Sequence, residues 1–162
     1  MMEKNKKETL ILGVGNPLRR DDGIGPEVIR LLTENRSKKN NSYKLSSDID
    51  LLDGGTDGLG LIEYLKDYKK VVIIDAVEMK LKPGTIKVFT PEEAVININS
   101  DALSTHGFGI AELIKLAKGL DINPELIIVG IQPESIDYGE DLTTPVSSVL
   151  NNLIELVLIQ LT

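Results

Sequence analysis

Apolar positions along the chain fall into two rhythms. Near-continuous apolar runs of strand length, TLILGVG (residues 9–15), VVIIDAV (71–77) and ELIIVGI (125–131), read as strands covered on both faces of a largely parallel sheet. DIDLLDG (48–54) is a shorter fourth candidate. GTIKVFT (84–90) alternates instead, and only the short EMKLKPG stretch links it to Val77. That link is too short for a helical crossover, so an antiparallel edge strand is expected there.

Between these runs lie amphipathic stretches with helical spacing, and four helices are expected. The first has Pro26 near its first turn and Val28, Ile29, Leu31 and Leu32 inward, with NRSKKNNS (35–42) as a solvated loop beyond it. The second follows DGGTDG and turns Leu59, Ile62 and Leu65 inward. A third, from about Gly107, presents Ile110, Leu113, Ile114 and Ala117, with Gly119 as its stop. The last starts at TTP, with Thr144 as cap and Pro145 at the first helical position, and carries Val146, Val149, Leu150, Leu153, Ile154, Val157 and Leu161. These stripes read as core. Strands alternating with helices make an α/β protein, and with no internal repeat or long linker the expectation is one domain over residues 1–162.

Composition narrows the chemistry. At 162 residues, 41% hydrophobic and 27% charged, the chain can bury an ordinary core. A formal charge of -7 argues against a nucleic-acid partner, which would need clustered Lys and Arg to neutralise phosphates. The chain has no cysteine, which excludes disulfides, thiolate metal sites and a cysteine nucleophile. The N-terminal MMEKNKKE has no apolar core segment, and no run approaches the roughly 20 apolar residues of a membrane span. A soluble cytoplasmic protein without a membrane partner is expected.

Polar residues at strand ends matter most, because in open α/β sheets the ligand crevice lies beyond the carboxyl ends of the strands. Asn16, Asp21 and Asp22 follow the first run, DGGT from Asp53 ends the second, Asp75 interrupts VVII and AV in the third, and QPES starts at Gln132 after the last. The stretch LILGVGNPLRRDDGIGPEV (10–28) begins like a dinucleotide-binding loop. It then departs from it: the third glycine of G-x-G-x-x-G is replaced by Leu18, and Asp21 and Asp22 would repel a pyrophosphate at the helix start. A blander role for Asp22 is to cap the first helix, where Asp is favoured by open N–H groups and the helix dipole.

Asp75 and His106 weigh against that simple cap. A carboxylate inside VVIIDAV is costly to bury unless it is paired, hydrogen-bonded or bound to a cation, and no Lys or Arg adjoins it in sequence. His106, the only histidine, lies in LSTHGFG just ahead of a predicted helix; a lone histidine there is more often a hydrogen-bonded loop residue than a ligand. If the first and third strands are adjacent, side chains at their ends can converge on one cation, since neighbouring strands lie about 4.8 Å apart. Two carboxylates and an imidazole suit a borderline divalent ion such as zinc, nickel or manganese, and three ligands leave coordination positions open.

GVGNPLRRDDGIGPEV, LLDGGT, IIDAVEMKLKPGTI, STHGFGIAEL and GIQPES occur in an order and spacing that resembles the hydrogenase maturation endopeptidases, which trim the C-terminus of the large subunit of nickel-iron hydrogenases. The resemblance runs from about Leu10 to the final helix, and the polar NRSKKNNSYK loop is its main departure. It implies a three-layer α/β/α sandwich around a mostly parallel five-stranded sheet with one antiparallel edge strand. It also implies that Asp22, Asp75 and His106 are the catalytic and metal-contacting residues. The metal implied is nickel, carried in by the substrate, with zinc or cadmium able to stand in. The partner implied is the precursor of a hydrogenase large subunit, met by a monomer of this chain. Gly13 and Gly15 would bring the backbone close to the cleft while Asn16 orders the turn, Asp21 would support the turn by hydrogen bonding, and Gly54 and Gly55 would leave room for an incoming peptide.

A metal held by the three residues could polarise a scissile carbonyl or activate a water, and either serves amide hydrolysis. A serine mechanism is the rival, but the chain lacks a G-x-S-x-G elbow and any such triad would have to use the same His106. A non-catalytic nickel-sensing or chaperone module using the triad only to bind is the alternative from another class.

Overall fold

The computed structural model describes residues 5–99 and 109–162. Five strands form one sheet: β1 (Lys7–Val14), β2 (Ile49–Gly55), β3 (Tyr68–Ala76), β4 (Ile86–Phe89) and β5 (Glu125–Ile131). Their order is β2-β1-β3-β5-β4, with β4 alone antiparallel. The helices are α1 (Ile24–Ser37), α2 (Ile62–Asp67), α3 (Pro91–Asn99), α4 (Ile110–Gly119), α5 (Thr144–Ser147) and α6 (Leu150–Ile159).

Period-two alternation in the central strands builds two cores. Leu10, Leu12, Val71 and Ile73 face one way, onto Leu61, Leu65, Ala94, Leu113 and Ile114. Ile11, Val72 and Ile74 face the other, onto Val28, Ile29, Leu32, Val146, Leu153, Ile154 and Val157. Every one of these side chains is buried, which is why β1 and β3 read as apolar throughout.

β4 does not form a hairpin with β3. The chain from Val77 to Gly84 passes over the carboxyl end of β5 before pairing with it. Val77 donates to Ile131 O, Gly84 donates to Gln132 O, and the Gln132 side chain accepts from the backbone of Met79 and Leu81. Gln132 also donates to Glu78, so one buried amide fastens the whole strap. A short connection can therefore bypass a strand that is made much later in the sequence.

Several helix expectations change. α1 runs on through Ser37, so the first residues of the polar stretch are helical, while Leu31 is only half-buried. Leu59 does not face inward: a 3-10 turn over Leu59–Leu61 leaves it 58% exposed and buries Leu61, because the helix period starts only at Ile62. The last helix is split into α5 and α6, with Thr143 rather than Thr144 at its start. α3 was not expected. Its start is a capping box, with Glu93 N donating to Thr90 Oγ1 and Thr90 N donating to Glu93 Oε2. Gly107, given as the start of the helix that becomes α4, lies outside the described residues. No helix among the described residues is long and apolar enough to cross a membrane.

Candidate active site at the carboxyl rim

β1 and β3 are neighbours, with Gly13 opposite Ile74, so the chain leaving β1 and the end of β3 share one rim. β1 ends at Val14, and the turn that follows is shaped by glycine and asparagine. Gly15 has φ +136, a conformation closed to most side chains, and a Cβ there would collide with the carbonyl of Asp22. Asn16 Oδ1 accepts from Leu18 N, an Asx turn that bends the chain toward the 3-10 turn Arg20–Gly23. Gly13 plays another part than bringing backbone to the cleft: its missing side chain is filled by Gly25 and Ile29 of α1, so it sets strand–helix packing.

Asp22 is buried in that 3-10 turn. It does not cap α1, whose N-cap is Gly23 with no side-chain hydrogen bond. Its Oδ2 instead accepts from Asn16 N at 2.9 Å, which turns the carboxylate back toward the strand ends. Asp75 is the penultimate residue of β3 and is also buried. Its Oδ1 has no hydrogen-bond partner among the described residues. Burial pushes the Asp75 carboxyl well above the usual carboxylate range and the negative charge of Asp22 adds to this, while a hydrogen bond with the Ala76 backbone pulls the other way.

Asp22 and Asp75 thus share the β1–β3 rim, and the charge of one acts on the other. A buried oxygen without a donor among the described residues, beside a second carboxylate, suits a divalent cation. Among the described residues no group of three His, Cys, Asp or Glu side chains is placed to hold a metal. His106, the third residue expected at the site, lies outside the described residues.

Asp21 is the neighbour that sequence reasoning underrated. It is fully buried, and its carboxylate is filled from a distant segment, not from its own turn. Oδ2 accepts from Glu134 N at 2.9 Å, Ser135 N at 3.1 Å and Thr143 Oγ1 at 2.7 Å; Oδ1 accepts from Thr143 N at 2.8 Å. This explains why Thr143 makes no side-chain cap on α5: its hydroxyl is committed to Asp21. The signal was present in QPES and TTP, two polar strings after the last strand and ahead of the last helix.

At the end of β2 the two glycines differ. A Cβ on Gly54 would press on the side chains of Leu12 and Leu61, so that position is filled by core and offers no room to a peptide. Gly55, with φ +52 and open space beside it, faces the rim; its carbonyl accepts from Gly15 N.

A family model described as hydrogenase maturation protease matches residues 26–160. The hydrogenase expression/formation protein HupD of Rhizobium leguminosarum bv. viciae is 33% identical over 148 residues, which is 90% of this chain and 70% of that protein. The HoxM protein of Azotobacter vinelandii, of the same description, is 32% identical over 151 residues, 92% of this chain and 70% of its own. Among solved structures, the hydrogenase maturating endopeptidase HybD from E. coli matches with a TM-score of 0.80 at 30% identity, covering 95% of this chain and 91% of that one. The NiFe hydrogenase maturation protease HybD from Thermococcus kodakarensis matches with a TM-score of 0.75 at 30% identity, covering 96% and 99%. The mixed five-stranded sheet between helices is therefore shared with solved proteases of this description, and together with the family match it establishes that the chain belongs to the hydrogenase maturation protease family.

Proposed function

We propose that this chain is a cytoplasmic endopeptidase that removes the C-terminal extension of a nickel-loaded precursor of a nickel-iron hydrogenase large subunit, recognising the nickel through Asp22, Asp75 and His106. The observation that carries this reading is the buried Oδ1 of Asp75, which has no hydrogen-bond partner among the described residues, beside Asp22. An oxygen shielded from solvent without a donor there carries a desolvation cost that an arriving cation would offset. On this reading the nickel belongs to the substrate, and zinc or cadmium can occupy the same donors in its absence. A divalent ion there supplies Lewis acidity to an amide carbonyl.

The residues of the chain do the rest. Asn16 N holds Asp22 in one rotamer through its hydrogen bond, so that the carboxylate need not be reordered when the precursor arrives. Burial of Asp22 and Asp75 keeps bulk water from screening them, which strengthens their pull on a cation. Open space beside Gly55 gives an extended peptide a place to run along the rim.

The test is the intact mass of a hydrogenase large-subunit precursor loaded with nickel, incubated with purified protein. Loss of a discrete C-terminal peptide, abolished in His106→Ala, is expected. Nickel binding without any trimming would instead favour the non-catalytic nickel-sensing module.

A further inference from the structure

Asp21 and Asp22 are adjacent and both buried, yet they face different partners. Asp22 accepts from Asn16 N at the β1–β3 rim, where the buried Asp75 lies near the end of the neighbouring strand. Left to itself, a 3-10 turn of only four residues could swing outward and carry Asp22 away from that rim. What opposes the swing lies on its other side, more than a hundred residues away in sequence.

Five hydrogen bonds join Asp21 to the segment after β5: its carboxylate accepts from Glu134 N, Ser135 N, Thr143 N and Thr143 Oγ1, and its own N–H donates to Ser135 O. Four donors converge on two oxygens, an arrangement that only an acceptor-only group can satisfy. An amide in its place would turn a donor against at least one of them. The same two segments are pinned again by two backbone bonds and one side chain. Gly139 N donates to Leu18 O, Arg20 N donates to Gly139 O, and the Arg19 side chain donates from Nε to Ile136 O. Arg20 is held at φ 46, a left-handed conformation that costs a non-glycine residue about 1–2 kcal/mol. Strain of this kind persists only where the surroundings enforce it, and here it divides the two aspartates between the clasp and the rim.

We propose that Asp21 is a positioning residue of the peptidase: by clasping the segment from Glu134 to Thr143 it holds the Arg20–Gly23 turn in place and keeps Asp22 beside Asp75. The proposal rests on the reading of Asp22 and Asp75 as the cation-binding pair. Asp21 itself touches neither cation nor substrate. Its effect runs through the geometry of Asp22 and through the fixed wall that the clasped segment makes at the rim.

Asp21→Asn and Thr143→Val each weaken the clasp while leaving every expected metal-contacting residue in place. Thr143→Ser keeps the hydroxyl and serves as the conservative rescue. The measurements are thermal melts, cadmium affinity of the precursor-free protein by calorimetry, amide exchange over residues 16–22, and kcat and KM for a nickel-loaded large-subunit precursor at a temperature where each variant is folded. Loss of a group that orients a ligand costs about 10–100-fold in metal affinity or activity. That fall is expected in both cadmium affinity and kcat for Asp21→Asn, a smaller fall for Thr143→Val, and near-wild-type values for Thr143→Ser, with faster exchange over residues 16–22 in the first two. Leu113→Ala, which cuts stability in the core on the face of the sheet away from α1 and the clasp, is the control and should leave kcat and cadmium affinity of the folded protein unchanged. Asp21→Asn and Thr143→Val that melt earlier but keep wild-type cadmium affinity and kcat would overturn the proposal and make the clasp a matter of stability alone. Should Asp21→Asn fail to fold, Thr143→Val and Thr143→Ser decide by the same readouts. Wild-type protein that neither binds cadmium nor trims the precursor overturns the reading of function, and this proposal with it.

Discussion

Two buried aspartates on the same rim have opposite surroundings. Every lone-pair direction that matters on Asp21 is met by an N–H or O–H from Glu134, Ser135 or Thr143. Asp75, near the end of β3, has an oxygen that no donor among the described residues meets, and a like charge beside it. Folding could have satisfied both, since backbone donors are plentiful at strand ends. A carboxylate filled by the protein's own donors stabilises the fold, whereas one left open costs stability and is kept only where something outside the fold completes it. The difference separates structure from function between two carboxylates on one rim, one in the Arg20–Gly23 turn and one near the end of β3.

The largest effect expected from breaking that contrast is at Asp75. Asp75→Asn removes the open carboxylate, and precursor trimming should fall by more than about 100-fold, beyond the loss expected for a residue that merely supports a ligand. Stability should move the other way. Because the folded-state pKa of Asp75 is raised above its unfolded value, the fold prefers the protonated acid. Its contribution is most favourable below about pH 4, the unfolded value, and is lost as pH rises toward the elevated folded value. In chelator-treated protein at neutral pH, Asp75→Asn should therefore be more stable than wild type by roughly 1–3 kcal/mol, the range for relieving a buried unsatisfied group. Urea melts of both proteins across pH check this: the wild-type deficit should shrink toward acid. An Asp75→Asn variant less stable than wild type at pH 7 in chelator would show that the Asp75 oxygen is not an unmet cost.

Asp21→Ala should do to stability what Asp75→Asn does to activity. It strips the acceptor from three backbone N–H groups and a hydroxyl that are otherwise buried or half-buried, and a cost of about 3 kcal/mol is expected. Leu113→Ala is the apolar yardstick: this buried side chain lies between α4 and the sheet, and its truncation should cost roughly 2–5 kcal/mol through lost burial and a cavity. Melts of the two variants side by side should give falls of similar size, while the folded fraction of Leu113→Ala alone trims precursor at the wild-type rate. An Asp21→Ala protein as stable as wild type would remove the contrast between the two aspartates.

Much of this was legible in the sequence because it follows from local rules. Strand runs such as VVIIDAV announce burial on both faces, and the alternation of GTIKVFT with the short link before it marks an antiparallel edge strand. Asp75 stood out because a charge inside an apolar run has no local explanation. What stayed hidden depends on contacts between distant segments. The strand that β4 pairs with is β5, fixed by Gln132 and the strap above it, and no periodicity encodes that choice. The polar strings QPES and TTP were visible, but nothing local ties them to Asp21, because its four donors come from residues 113 to 122 positions later. Leu59 was misplaced by one turn because a 3-10 segment precedes α2 and shifts the phase of the stripe. The missed α3 is different in kind: its TPEE start, Thr90 to Glu93, is a local signal that could have been read.

That capping box supplies the smallest and last test, because Thr90 and Thr143 are the same residue type, each hydrogen-bonded to an acidic residue, with opposite hydroxyl roles and in different settings. Thr90 Oγ1 accepts from Glu93 N at 3.2 Å at an exposed helix start. Thr143 Oγ1 donates to Asp21 Oδ2 at 2.7 Å in a buried one. Loss of an N-cap hydroxyl costs about 1 kcal/mol, so Thr90→Ala should lower the melting temperature slightly and leave kcat for the precursor untouched, since α3 packs away from the β1–β3 rim against α4 and β5. Thr143→Val should cost a similar amount, the usual 1.5–3 kcal/mol or so of a hydrogen bond to a charged group being partly recovered by the added methyl. The two variants are thus expected to match in melts and to part in cadmium affinity and kcat, where only Thr143→Val falls. Equal behaviour in both assays would mean that the hydroxyl on Asp21 is one more cap, and that the clasp does not reach Asp22.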